Sequence, residues 1–248
     1  DADILIGAAG PLPDMKAGQN DRQQTLGATV EILKDIIPKI KASRFCGIII
    51  NISNPADVVA HYLQEKLNWN PKRILSTSTT LDSARVRRAI AEATGYDQKS
   101  INAYALSEHG ETQFVPWSLV TVAGKPLLEL IKEQPERFGK LDLEEIALRA
   151  KKAGWIILGG KGSTEFGIGA SIANVVKAIF GDENRILPVS TLLQGEYGYR
   201  DVFASVPCRL NNEGVAEVIE LNLTAEEKAK FDASVASMRE NFARAKKM

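Results

Sequence analysis

The stretch LSEHGE, residues 106–111, carries one of only two histidines in a chain of 248 residues. The run before it, SINAYA, alternates as a strand does, so His109 falls at a strand end between Glu108 and Gly110. Histidine both accepts and donates a proton near neutrality, which makes it the usual general acid/base. The bland alternative is a packed or surface histidine. His61, mid-helix in VVAHYL with no polar company, fits that alternative, whereas the setting of His109 differs from it.

Other residues could act with it. Asp82 and Arg85 open a helix in LDSARVRR. On a surface they are an N-terminal acid and a helix-face arginine, worth little. Facing a cleft, the aspartate can hold a histidine tautomer and the arginine can fork a carboxylate. Arg22 closes the turn-rich loop PLPDMKAGQND (11–21). There it puts a cation at the positive end of a helix dipole, an unfavourable place that hints at use. Asn54, before Pro55, is ordinary turn chemistry that also sets an amide at a strand end. GGKGST (159–164) looks like a phosphate loop, but Gly162 follows Lys161 where Ser or Thr is required, so a helix C-cap is the better account.

The elements that must position these residues alternate at first. ADILIGAAG (2–10), FCGIIINIS (45–53) and KRILSTST (72–79) read as buried strands. Between and after them, 22–43, 56–68 and 81–95 carry helical spacing, with Pro38 expected to bend or divide the first. Strand–helix alternation implies a parallel sheet with helical crossovers, whose ligands gather at the carboxyl ends of the strands. The 10–22 loop, Asn54 and TSTTLD lie at those ends. Beyond residue 95 the pattern changes. Residues 100–111 and 114–127 look like paired strands, 143–162 and 167–182 like helices, and 185–193 and 201–221 like antiparallel strands with a hairpin turn at NEG (212–214). A last helix starts on the capping box of Thr224 and Glu227. The boundary between two units is placed near residue 79.

Composition excludes several classes. Lys+Arg and Asp+Glu both number 31, so no polycationic surface implies a nucleic acid partner. Two cysteines and no Cys/His cluster argue against a disulfide framework or a metal site; Cys46, beside an apolar run, reads as buried. No apolar run approaches the roughly 20 residues of a membrane span, and no signal-like segment opens the chain. A soluble, cytoplasmic protein is expected.

Taken in order, AAG…NDR, ISNPADV, TTLDSARVRR, SEHGETQFVPWS, KGSTEFGIG and GEYGYRDVFASVP resemble the L-lactate/L-2-hydroxyacid dehydrogenase family over essentially the whole chain. The resemblance implies an α/β fold: part of a Rossmann parallel sheet (residues 1–78, NAD-binding) followed by an α+β substrate domain (79–248). It implies NAD as cofactor, a small 2-oxo or 2-hydroxy acid as substrate, and a homo-oligomer, dimer or tetramer. His109 would protonate the 2-oxo oxygen as hydride arrives, Asp82 would favour its protonated ring, and Arg85 would grip the substrate carboxylate. Arg22 would ride on the loop and polarise the ketone. Asn54 would contact substrate and nicotinamide, and Thr164 would line the substrate pocket. Ala9, Gly10, Asn54 and Thr77 would contact the cofactor.

The chain departs from the family pattern in four ways. The G-x-G-x-x-G fingerprint and its ribose-binding acid are absent, as if the chain began at the fourth strand of the nucleotide domain. The 10–22 loop is long, as in L-2-hydroxyisocaproate dehydrogenases, which implies room for a substrate side chain bulkier than that of pyruvate. Malate dehydrogenases place a second arginine in this loop, where this chain offers only Lys16, which disfavours a dicarboxylate. Arg87 matches the fructose 1,6-bisphosphate site of regulated members, but Asn102 stands at the histidine position, so that control is expected to be weak or absent. STST (76–79) replaces a glycine-containing turn. The expected activity is NAD-dependent interconversion of a 2-oxo monocarboxylate and its L-2-hydroxy acid. The alternatives are a malate dehydrogenase and a non-catalytic remnant of the fold.

Overall fold

A computed structural model of the chain describes residues 2–14, 18 and 21–248, so Lys16 lies outside the described residues. Three short apolar strands, β1 (Ile4–Gly7), β2 (Ile48–Asn51) and β3 (Ile74–Ser76), pair in parallel. Every residue of β2 is buried, as a central strand with covered faces requires. The crossovers are α1 (Leu26–Ala42) and α2 (Ala56–Leu67), and α3 (Thr80–Thr94) follows β3.

Pro38 does not divide α1. It is exposed in the closing part of the helix, so the Lys34 carbonyl that loses its partner faces water. The helix starts later than its periodicity implied. Residues Arg22–Thr25 form a 3₁₀ turn capped by Asp21, whose side chain accepts the Gln23 amide at 2.9 Å while Gln24 returns a bond to the Asp21 amide. That acid offsets the misplaced positive charge of Arg22.

The region after α3 is mostly irregular. The expected long strand pair survives only as the Leu106–Phe114 bridge and a sheet of three two-residue strands, β4 (Ile101–Asn102), β5 (Thr121–Val122) and β6 (Lys125–Pro126). Helices α4 (Leu127–Glu133), α5 (Pro135–Phe138), α6 (Leu143–Lys161) and α7 (Phe166–Phe180) come next. Gly162 ends α6 in the left-handed region (φ 84°), so the Gly-Lys-Gly run is a cap. Strands β7 (Arg185–Gln194), β8 (Arg200–Asn211) and β9 (Gly214–Val218) form an antiparallel meander, and α8 (Ala225–Lys247) starts on the Thr224–Glu227 capping box.

The architecture is α/β, with a Rossmann-type parallel part. One mixed sheet runs β1-β2-β3-β7-β8-β9, and β7 joins β3 antiparallel through Ser76 and Ser190. Cys208 is buried in that sheet, but Cys46 is exposed, contrary to its apolar sequence neighbourhood: β2 begins only at Ile48, leaving Cys46 on the rim. His61 packs flat on Phe242, ring centroids 3.5 Å apart. No helix among the described residues is long and apolar enough to cross a membrane.

Candidate active site

The carboxyl ends of β1, β2 and β3 open on a cavity of about 210 Å³. Its lining includes Gly10, Arg22, Asn54, Thr77, Arg85, His109 and Thr164, which come from well-separated segments of the sequence. Ala9 does not line the cavity, although its neighbours Ala8 and Gly10 do. Leu12, Leu81 and Ile168 supply apolar wall.

Asp82 organises the centre. It sits in the first turn of α3 and is 1% exposed. One carboxylate oxygen takes the Nδ1 of His109, and the other accepts from Arg85 Nη1 at 2.9 Å. Burial alone would raise this carboxyl, but the charges of His109, Arg85 and Arg22 hold it down at about 2. With Nδ1 engaged, Nε2 is the ring nitrogen left to face the cavity.

His109 is anchored through its backbone as well. Its amide donates to Asp57 Oδ2 at 2.8 Å, and Ser78 Oγ donates to Asp57 Oδ1 at 2.7 Å. Burial raises the Asp57 carboxyl to about 6, although these two donors oppose the rise. Sequence reasoning missed Asp57. It reads there as a helix-start acid, and its partner is a backbone amide that leaves no trace in the sequence.

Arg22 is nearly buried (9% exposed), with its guanidinium carbon 5.0 Å from the centre of the Trp155 ring on α6. Burial lowers its pKa while the carboxylates of Asp82, Glu111 and Glu108 oppose. Arg22 and Arg85 converge on one spot, since a Cβ at Gly154 would lie 3.1 Å from Arg22 Nη2 and 3.2 Å from Arg85 Nη1. Arg85, ion-paired to Asp82, and the neighbouring Arg22 place two guanidinium groups side by side, an arrangement that suits a small carboxylate.

Asn54 follows β2, joined to Pro55 by a cis peptide. Its backbone carbonyl accepts from Thr29 Oγ1 at 2.9 Å, while its side-chain Oδ1 is buried with no hydrogen-bond partner among the described residues. An orphaned acceptor in a cavity wall calls for a donor on a ligand. Thr77 is held by its neighbours, its carbonyl accepting the Thr80 amide at 2.7 Å. Arg87, away from this cavity, donates to the Ala103 carbonyl at 3.1 Å.

The chain is similar to known proteins over most of its length. Residues 1–76 match the lactate/malate dehydrogenase NAD binding domain, and residues 79–248 match the lactate/malate dehydrogenase alpha/beta C-terminal domain. The chain is 44% identical over 234 residues to an L-lactate dehydrogenase 3 from Bacillus cereus, covering 94% of this chain and 73% of that protein. It is 38% identical over 241 residues to an L-lactate dehydrogenase 1 from Bifidobacterium longum, covering 97% and 75%. The ligand-bound crystal structure of the minor L-lactate dehydrogenase from Enterococcus mundtii superposes with a TM-score of 0.91 at 36% identity, covering 98% of this chain and 76% of that one. A malate dehydrogenase from Aeropyrum pernix superposes with a TM-score of 0.84 at 33% identity, covering 98% and 76%.

Proposed function

From a chain that belongs to the lactate/malate dehydrogenase family, we infer an NAD-dependent L-2-hydroxyacid dehydrogenase that interconverts a 2-oxo monocarboxylate, pyruvate or a bulkier one, and its L-2-hydroxy acid. The observation that carries the residue roles is the His109–Asp82–Arg85 constellation, with Arg22 converging on it.

The residues present fit the nicotinamide end of NAD. The Asn54 acceptor lacks a partner among the described residues, and Gly10 and Thr77 wall the same cavity. When bound, NAD supplies or accepts the hydride. In the reducing direction, His109 Nε2 delivers a proton to the 2-oxo oxygen. Asp82, kept ionised, favours the imidazolium that does so. Arg85 binds the substrate carboxylate, and Arg22 stabilises charge growing on the ketone oxygen. Trp155 covers one face of Arg22 and keeps water from it. Thr164 and the apolar wall shape the space around the substrate.

The domain division at 78/79 is supported by the place where the two family matches meet. The same reading gives a homo-oligomer, dimer or tetramer, in the cytoplasm. Exposed Ile156 on α6 and Phe166 on α7, 72% and 84% exposed, support association. The free thiols Cys46 and Cys208 suit a reducing compartment.

The test uses the full-length protein with NADH. Pyruvate and longer 2-oxo monocarboxylates are expected to turn over faster than oxaloacetate. His109→Asn is expected to lower kcat by roughly 10²–10⁴-fold with NADH affinity near normal. Oxaloacetate turning over as well as pyruvate would favour the malate dehydrogenase alternative, and unchanged turnover in His109→Asn would remove it from the chemistry.

A further inference from the structure

Glu108 is a carboxylate with 2% exposure and no ion-pair partner among the described residues. A buried charge is retained only where donors compensate it. Here they come from more than one direction. Gln23 Nε2 donates to Glu108 Oε1 at 2.6 Å. The Thr112 amide donates to Oε2 at 3.2 Å, and the Thr112 hydroxyl bonds the same oxygen. That hydroxyl also lies 2.7 Å from Ser234 Oγ on α8.

The carboxylate folds back under its own turn. A Cβ at Gly110 would lie 2.8 Å from Glu108 Cδ and 2.9 Å from Oε2, so a side chain there would displace the carboxylate from this position. The position of the Gln23–Glu108 bond in the chain matters more than its strength. Gln23 is the residue after Arg22, and Glu108 is the residue before His109. The two groups that must meet the ketone oxygen come from distant parts of the chain, and one hydrogen bond ties their neighbours together. Gln23 Oε1 has no partner among the described residues, and its amide makes this contact through Nε2.

We propose that Glu108 and Gln23 form a positioning pair that fixes the Arg22 turn against the His109 strand end and so sets the separation of Arg22 from His109. The pair touches neither substrate nor cofactor. It rests on the dehydrogenase reading only for its consequence in catalysis. Holding two polar groups at one reacting atom is a matter of fractions of an ångström, and adjacent residues joined by a charge-assisted bond can supply that precision.

The test exchanges the partners. Gln23→Glu sets two buried carboxylates face to face and breaks the bond. Gln23→Glu combined with Glu108→Gln restores it. The amide then placed at position 108 can still accept from Thr112 through its oxygen while its nitrogen donates to the carboxylate at position 23. Amide hydrogen exchange over residues 21–26 of the full-length protein without ligand is the first readout. Gln23→Glu is expected to speed exchange there roughly tenfold, and the exchanged pair to return it near wild type. In NADH-dependent pyruvate reduction, kcat is expected to fall roughly tenfold in Gln23→Glu and to recover in the exchanged pair. Gln23→Leu, which removes the donor without adding charge, is expected to speed exchange of the same segment. Unchanged exchange in Gln23→Glu or Gln23→Leu, or an exchanged pair no closer to wild type than Gln23→Glu, overturns the proposal. That outcome with wild-type turnover intact leaves the dehydrogenase reading standing. Absent wild-type turnover beside the expected exchange pattern does the reverse.

Discussion

Asp82 serves the histidine with one oxygen and the arginine with the other. Its folded-state pKa of about 2 lies below the ordinary aspartate value of roughly 3.9, so the stabilisation it brings is complete above that value and lost as pH falls toward 2. Asp82 is therefore ionised throughout the neutral range and does not itself set a pH limb there. Arg85 gives Nη1 to Asp82 and has its remaining donors for a substrate carboxylate. A lysine has a single nitrogen for both partners and cannot fork. Arg85→Lys is expected to weaken 2-oxo acid binding by about 2–5 kcal/mol, with NADH affinity unchanged, as read by KM and by titration with oxamate. A loss confined to NADH affinity would contradict the role. Asp82, Arg85, His109 and Arg22 were legible as candidates from their types at strand and helix ends, and the family resemblance was what grouped them into one site. Asp57, Gln23 and Trp155 were not, because each acts through a backbone amide, a buried carboxylate or a ring face whose partner is distant in sequence.

At the scale of elements, α1 fixes β2's exit. Thr29, fully buried, donates to the Asn54 carbonyl at 2.9 Å, and Thr25 reaches the same oxygen at 3.4 Å. The helix thus orients the turn that presents the Asn54 side chain to the cavity. Thr29→Val keeps the shape and removes the donor, leaving the part-buried carbonyl with the long Thr25 bond. The expected cost is about 1–2 kcal/mol by urea unfolding, with a raised KM for the 2-oxo acid. Wild-type stability together with wild-type KM would show that α1 does not orient Asn54. The strand–helix alternation of the first 95 residues was legible because each strand is an apolar run and each helix has a marked apolar face. The region from 101 to 126 was not. Its residues alternate, but pairing lasts for two residues per strand and then yields to turns. Period alone does not report where a partner strand ends. The continuity of the sheet from β3 into β7 was hidden for a related reason, since a single residue pair, Ser76–Ser190, carries it.

Across the whole molecule, α8 ties two cores together. Phe231, Val235 and Met238 pack into the core around β7 and β8, while Phe242 and Ala245 pack into the core of α1 and α2. At the second junction the Phe242 ring lies flat on His61, interplanar angle 9°, with Phe203 5.3 Å away. Burial pushes His61 down to about 3, and the charge of Lys246 adds to the shift. The folded protein therefore keeps this imidazole neutral at pH values where the unfolded chain protonates it near its ordinary value of about 6.5. Protons bind the unfolded state preferentially, so stability falls as pH drops from about 6.5 toward 3. His61→Phe preserves a stacked ring and removes the titration. It is expected to change stability by less than about 1 kcal/mol at pH 7. At about pH 4.5 it is expected to be more stable than wild type by about 2–3 kcal/mol, the difference accumulated over roughly two pH units. Urea unfolding of both proteins at the two pH values measures it. An equal difference at both would mean that the acid sensitivity of this junction lies elsewhere than in His61.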